Sequence, residues 1–197
     1  MFFFCMLSTI QNENQTRQTR AEEDALLVRV GKGDREALSA LYHRTSRAVY
    51  GCILSIVKNP HDAEELMQDT YVQLVSGAAD YRPQGRPRGF IMAVARNLSL
   101  MRLRENRRFP SGDEDETLEI PAEENEVIRS EDRMVLDCAM QVLGEEERQV
   151  VMLHAVAGMK HRETASLLGL PLSTVLSRYH RALAKLQKAL MEGDAAR

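Results

Sequence analysis

The side chains in this sequence best suited to act on another molecule are arginines and lysines set in helical register. Between Lys160 and Lys188 six Lys or Arg stand against the single acid Glu163, and between Arg82 and Arg108 eight arginines stand against Glu105. In the first of these blocks Thr174, Ser177, Arg178, Arg181, Lys185 and Lys188 share one helical stripe. The opposite stripe is Val175, Tyr179, Ala182, Leu183, Leu186 and Leu190, which is apolar and reads as the buried side. An arginine fork matches a guanine edge in the major groove, whereas a lysine finds phosphate without regard to sequence. Thr174, Ser177, Arg178 and Arg181 are therefore expected at or near base edges. Lys185 and Lys188, further along, are expected at phosphate or in solvent. A basic stripe alone is more often just a solvated helix face. What favours nucleic acid is the company it keeps.

That company is a helix-turn-helix spacing. With His161 as the first position, Ala165 is small where two helices must cross. Gly169 stands at the turn, and Val175 is apolar where the second helix packs back on the first. No comparable spacing supports catalysis. There is no glycine-rich phosphate loop, no nucleophile with its base, and no metal-ligand pattern among the five histidines. The chain is thus expected to be no enzyme and to need no cofactor or metal. Cys5, Cys52 and Cys138 are odd in number, which fits a reducing compartment rather than a disulfide framework. Cys52 and Cys138 fall within apolar helical stripes and read as core.

The elements that must carry these residues are helical. Leu, Ala, Arg, Glu and Met are abundant, all of them strong helix formers, and alternating strand patterns are absent. The expected fold is all-α: two small helical domains joined by a flexible acidic linker, the second a four-helix domain. The net charge of −3 hides a segregation. From Ser111 to Val127 there are eight acids and no Lys or Arg, so without that stretch the rest of the chain is positive. Residues 1–20 are expected as a disordered tail, 21–109 as a first domain, 110–127 as the linker, and 128–192 as the second domain. Met1–Ile10 is apolar but too short to span a bilayer, so no membrane insertion is expected. In the first domain, Ala21–Val30 reads as a short helix. A helix capped by Asp34 follows, with Asn59–Pro60 as its stop, and Asp62 opens another to about Ser76. A Gly- and Pro-rich loop then leads to a helix from Arg88 to about Arg107.

On that third helix Ala63, Leu66, Met67, Thr70, Tyr71 and Leu74 share one face, while Asp62, Glu65, Gln68 and Asp69 share the other. An acidic face beside a strongly basic helix is badly placed for DNA and suits a basic protein partner, or simply solvent.

These segments resemble the extracytoplasmic-function (ECF) sigma factors of the sigma-70 family. HDAEELMQDTYVQLV, from His61, is similar to the region 2.2 helix that docks on the coiled coil of the polymerase β′ clamp. RGFIMAVARNLSLMRLRENRR, from Arg88, resembles regions 2.3 and 2.4, which melt and read the minus-ten element. Leu143–Leu190 resembles region 4, which grips the minus-thirty-five element. The resemblance implies polymerase-binding roles for Asp62, Glu65, Gln68 and Asp69. It implies minus-ten roles for Tyr81, Arg82, Gln84, Arg96, Asn97, Arg104, Arg107 and Arg108. In the family the loop before this helix pockets a flipped base, a task for which Tyr81, Arg82 and Gln84 are suited; the same residues read equally as a flexible surface loop. Minus-thirty-five contacts then fall on Thr174, Ser177, Arg178, Arg181 and Lys185. The implied partners are the polymerase core, through β′ clamp and β flap, promoter DNA, and an anti-sigma factor, in the cytoplasm. Some positions depart from the pattern: Phe90 stands for a frequent Trp, Met101 for a frequent Asp, Thr164 for Ile, Leu176 for Lys and Gly144 for Pro. A stand-alone helix-turn-helix regulator is the alternative reading, and the Arg82–Arg108 block is what it leaves unexplained.

Overall fold

The computed structural model describes residues 17–108 and 141–195; the apolar start, the acidic connector, Cys5 and Cys138 lie outside them. Among the described residues all regular structure is helical. Helix α1 covers residues 17–30, α2 Arg35–Val57, α3 Pro60–Gly77, α4 Pro87–Arg108, α5 Glu145–Val151, α6 His161–Leu168 and α7 Leu172–Ala195. A 3₁₀ turn, Ala78–Asp80, follows α3, and a π turn, Met152–Val156, prolongs α5.

Among the described residues helix α1 already runs at residue 17, four before the expected Ala21, and Arg20 on that added turn finds partners elsewhere in the molecule. Asp34 caps α2 as expected: its carboxylate accepts from the Ala37 N–H at 3.0 Å. That N–H and the Arg29 guanidinium hold the carboxyl below its ordinary range. The next boundary differs from the expectation. Asn59–Pro60 is not only a stop. Asn59 accepts from the Asp62 N–H at 3.0 Å and caps α3, with Pro60 in its first turn. Proline is at home there because its missing N–H would have had no partner. The stop itself is Lys58, which turns the chain in the left-handed region at φ 62°.

Helices α2, α3 and α4 pack on one another, and α2 is their axis. All six apolar-face residues expected on α3 are buried, and the Tyr71 hydroxyl meets Thr45 Oγ1 at 2.8 Å inside. Since Thr45 already donates to the Leu41 carbonyl, Tyr71 is the donor of that bond. From Ala48 to Val57 every residue of α2 is buried, not merely one stripe. The outer side is covered by the second helical unit. Met152, Leu153, Ala157 and Met159 belong to the same continuous core as α2 and α3. Gly51 permits this: a Cβ there would stand 2.8 Å from the Met152 methyl. The second unit has two further small clusters of its own, one of Leu143, Val151 and Ala182 and one of Val150, Ala165 and Val175.

Candidate nucleic-acid interface

The turn between α6 and α7 forms as its spacing requires. Gly169 adopts φ 66°, and the following Leu170 N–H returns to the Ala165 carbonyl at 3.0 Å. That left-handed closure of a helix end is where glycine has no Cβ to strain. Ala165 and Val175 are buried against each other's helices. Beside them lies an aromatic knot. The His154 and His161 rings stack at 3.7 Å, and Tyr179 lies edge-on to His154 at 4.7 Å. His154 Nδ1 donates to the Met159 carbonyl at 2.6 Å, which fixes its tautomer. Burial, then the neighbouring His154 and His180, push the His161 pKa down.

On the outer face of α7, Ser177 and Arg181 are exposed and Thr174 is half-buried. Arg178 is not free: it pairs with Glu146 at 2.7 Å. Lys185 donates to Glu147 at 2.6 Å, and Arg181 stands 3.9 Å from the same carboxylate. Lys185 holds the Glu147 carboxyl below its usual range. The acidic start of α5 thus sets Glu146 and Glu147 as counter-charges against the basic stripe. Sequence reasoning missed this, since three acids at a helix start are explained by the helix dipole alone. Leu183, expected inside, is 41% exposed. It sits about 80° round the helix from Val175, at the margin of the apolar stripe.

In the first unit the acidic face of α3 divides in two. Arg102 of α4 donates to Asp62 and, at 3.0 Å, to Glu65, so these two acids tie α3 to α4. His61 joins them with donor atoms converging within 4.8 Å, but the guanidinium already occupies both carboxylates. Gln68 and Asp69 are exposed. Beside them, on the same face, Val72 is 69% and Val75 40% exposed. Those valines were legible from the helical period that grouped Gln68 and Asp69, yet their apolar character hid them.

The 81–86 loop is ordered by α1. Asp24, 8% exposed, accepts from the Tyr81 hydroxyl and from the Gly85 N–H at 2.8 Å. The Tyr81 ring also packs on Phe90 at 5.0 Å. Burial and Asp24 push its phenol pKa upward. Tyr81 is therefore a wall of the loop, while Arg82, Gln84 and Arg86 are exposed. A cleft of about 590 Å³ opens there, lined by Arg82, Gln84, Phe90 and Asn97 on one side and Glu163, Ser166 and Leu167 of α6 on the other. Arg104, Arg107 and Arg108 are exposed at the end of α4. Arg96 is half-buried, and its Nε finds no hydrogen-bond partner among the described residues. Arg88 and Arg102, counted in the basic block, are bound internally to acids.

Comparison with known proteins bears on both units. Residues 41–109 match the family described as Sigma-70 region 2, and residues 133–186 match Sigma-70, region 4. The chain is 31% identical over 182 residues to the RNA polymerase sigma factor NccH of Alcaligenes xylosoxydans xylosoxydans, covering 87% of this chain and 96% of that one. It is 28% identical over 175 residues to the ECF RNA polymerase sigma factor SigK of Mycobacterium sp. (strain KMS), covering 85% and 90%. Among solved structures, CnrH in complex with the cytosolic domain of CnrY is similar at a TM-score of 0.59 and 25% identity, covering 88% of this chain and 99% of that one. The fold is shared with the sigma factor RpoE in complex with the anti-sigma factor NepR from Bartonella quintana, at a TM-score of 0.63 and 18% identity, covering 78% and 96%. A stand-alone regulator accounts for the second match and not for the first. With both units matched in order and a relative aligned along nearly its whole length, the chain belongs to the ECF sigma factors of the sigma-70 family, the RNA polymerase subunits that initiate transcription at promoters.

Proposed function

We propose that the two units divide promoter recognition between them with no chemical step of their own. The single observation that carries this is the layout of the first unit. One helix shows solvent a mixed face of Gln68, Asp69, Val72 and Val75, and the next ends in exposed Arg104, Arg107 and Arg108. A face mixing apolar and acidic side chains is built for protein; a row of arginines is built for phosphate. Gln68 and Asp69 would dock on the polymerase clamp, with Asp62 and Glu65 stiffening the docking helix through Arg102 and contacting polymerase at its edge.

Minus-ten DNA would run along α4. Arg96, Arg104, Arg107 and Arg108 would take phosphates of the melted strand. The cleft bounded by Arg82, Gln84 and Asn97 would hold an unstacked base, with Tyr81 as its rigid wall. On α7, Thr174, Ser177 and Arg181 would meet the minus-thirty-five bases. Arg178 and Lys185 would exchange Glu146 and Glu147 for DNA, one partner of each pair being open to solvent. The acidic connector would lie in the polymerase channel that later carries RNA. The protein would act in the cytoplasm, where polymerase is, with the clamp and the flap as its polymerase contacts. Among the described residues no helix is long and apolar enough to cross a membrane. An anti-sigma protein is a further expected partner, as the two solved neighbours each have one bound or a cytosolic partner domain in place.

Run-off transcription with purified core polymerase across a promoter library tests the reading. Promoter-specific transcripts that require this chain are the expected result. Their absence on every template, with the chain folded, would overturn it.

A further inference from the structure

Residues 81–86 belong to no helix, and Pro83 has no N–H with which to stiffen them. Their shape comes from α1. The two oxygens of the Asp24 carboxylate take opposite ends of the loop: one accepts from the Tyr81 hydroxyl, the other from the Gly85 N–H at 2.8 Å. The Gln84 N–H donates in turn to the Tyr81 oxygen. Gly85 meets the carboxylate at φ 68°, in the left-handed region, with open space where a Cβ would stand. The loop is thus wound about an acid that belongs to another element. The adjacent Glu23 is also buried, but it serves a cation, Arg88, at 2.7 Å. Asp24 instead meets a hydroxyl and an amide, donors whose direction matters more than their charge.

What these bonds hold is backbone and one ring. Of the loop's side chains Tyr81 alone is not exposed, so packing gives little reason to bury an acid on the loop's behalf. Arg82 and Gln84, between the two anchor points, are left exposed and line the cleft. A pocket for an unstacked base needs such groups set in place before the base arrives, because ordering them afterwards costs affinity. We propose that Asp24 is a positioning residue for base capture: by gripping the Tyr81 hydroxyl and the Gly85 N–H it sets the 81–86 loop in its base-accepting shape before DNA arrives. The proposal rests on the minus-ten reading of the cleft and adds to it a residue of α1 that acts only through the loop.

The test uses the full chain bound to core polymerase. Its probe is a non-template-strand oligonucleotide spanning the minus-ten element of a promoter that the run-off library selects, intact or with one base at a time removed to leave an abasic sugar. The parent is expected to feel one position through its base, where removal weakens binding most. Asp24→Ala is expected to weaken binding to the intact strand roughly fivefold or more, because the base-accepting loop becomes the lesser population. At that one abasic position the same substitution should cost nothing further, while elsewhere its cost should persist. Asp24→Asn keeps an oxygen for the Gly85 N–H and offers an N–H to the Tyr81 oxygen, so it should recover most of the loss. Tyr81→Phe removes one of the two bonds and should show a smaller loss at the same position; it carries the comparison if circular dichroism shows Asp24→Ala unfolded. No loss on the intact strand, or an equal loss on intact and abasic strands at every position, would overturn the proposal and leave the cleft reading in place. A parent that feels no position through its base would overturn the cleft reading, and the proposal with it.

Discussion

At the scale of single residues, the side chains that face solvent carry the sharpest expectations. Arg181 is 62% exposed at its side chain and only loosely approached by Glu147. Arg181→Ala is expected to cost about 1–3 kcal/mol of discrimination at one base pair, while Lys185→Ala weakens all sequences alike. Competition binding over a library of minus-thirty-five variants in the presence of core polymerase separates the two. Asp69→Arg, on an exposed position of α3, should leave the thermal unfolding curve in place and cut association with core polymerase. Co-purification at unchanged yield would count against the docking face. Asp24 teaches a different lesson. It is an ordinary acid in a helix of mixed character, and nothing near it in the chain announces that it fixes a loop some sixty residues away. Residues with that kind of partner are silent in a sequence, because their meaning is set by tertiary distance.

At the scale of elements the sequence spoke more clearly. The Asp34 cap, the buried face of α3 and the Gly169 turn follow from local rules of capping, period and φ, and all three stand in the structure. Helix α3 starts two residues before the expected Asp62, because an Asn-Pro pair that stops one helix also makes the start of the next. The joint between α5 and α6 has a titration of its own. His161 is held neutral in the fold by burial and by His154 and His180, so its pKa lies below the ordinary value of about 6.5. The unfolded chain then binds the proton first. Stability is fully present above about pH 6.5 and falls as pH drops through the folded pKa. Denaturant midpoints measured from neutral to mildly acidic pH should decline for the parent. His161→Gln should flatten that decline; an unaltered slope would assign it to other groups.

The whole molecule shows what neither residue nor period disclosed. Met152 and Met159 read as filler or core, as methionines in helical stripes do, and they join the second unit to the core of the first. The charge count likewise overstated the free basic surface, since Arg88 and Arg102 are consumed inside. Arg88→Ala would leave Glu23 buried without its cation, a loss of about 3 kcal/mol or more. Differential scanning calorimetry should register it as a lower Tm for the first unit, and Arg88→Ala with Glu23→Gln should recover part of it.

The π turn at Met152–Val156 has one more consequence, which concerns chain length rather than side chains. Its wide turn closes through the Ala157 N–H on the Met152 carbonyl at 2.9 Å, one residue further back than a regular helix allows. It therefore stores a spare residue. Loss of one residue there, most simply the exposed Ala155, can be absorbed by tightening the turn while everything downstream keeps its angular phase. The same deletion inside α2 would rotate every following side chain by about 100° and expose what is now dry. The junction that ties the two units together is thus a place where the fold tolerates a change of length.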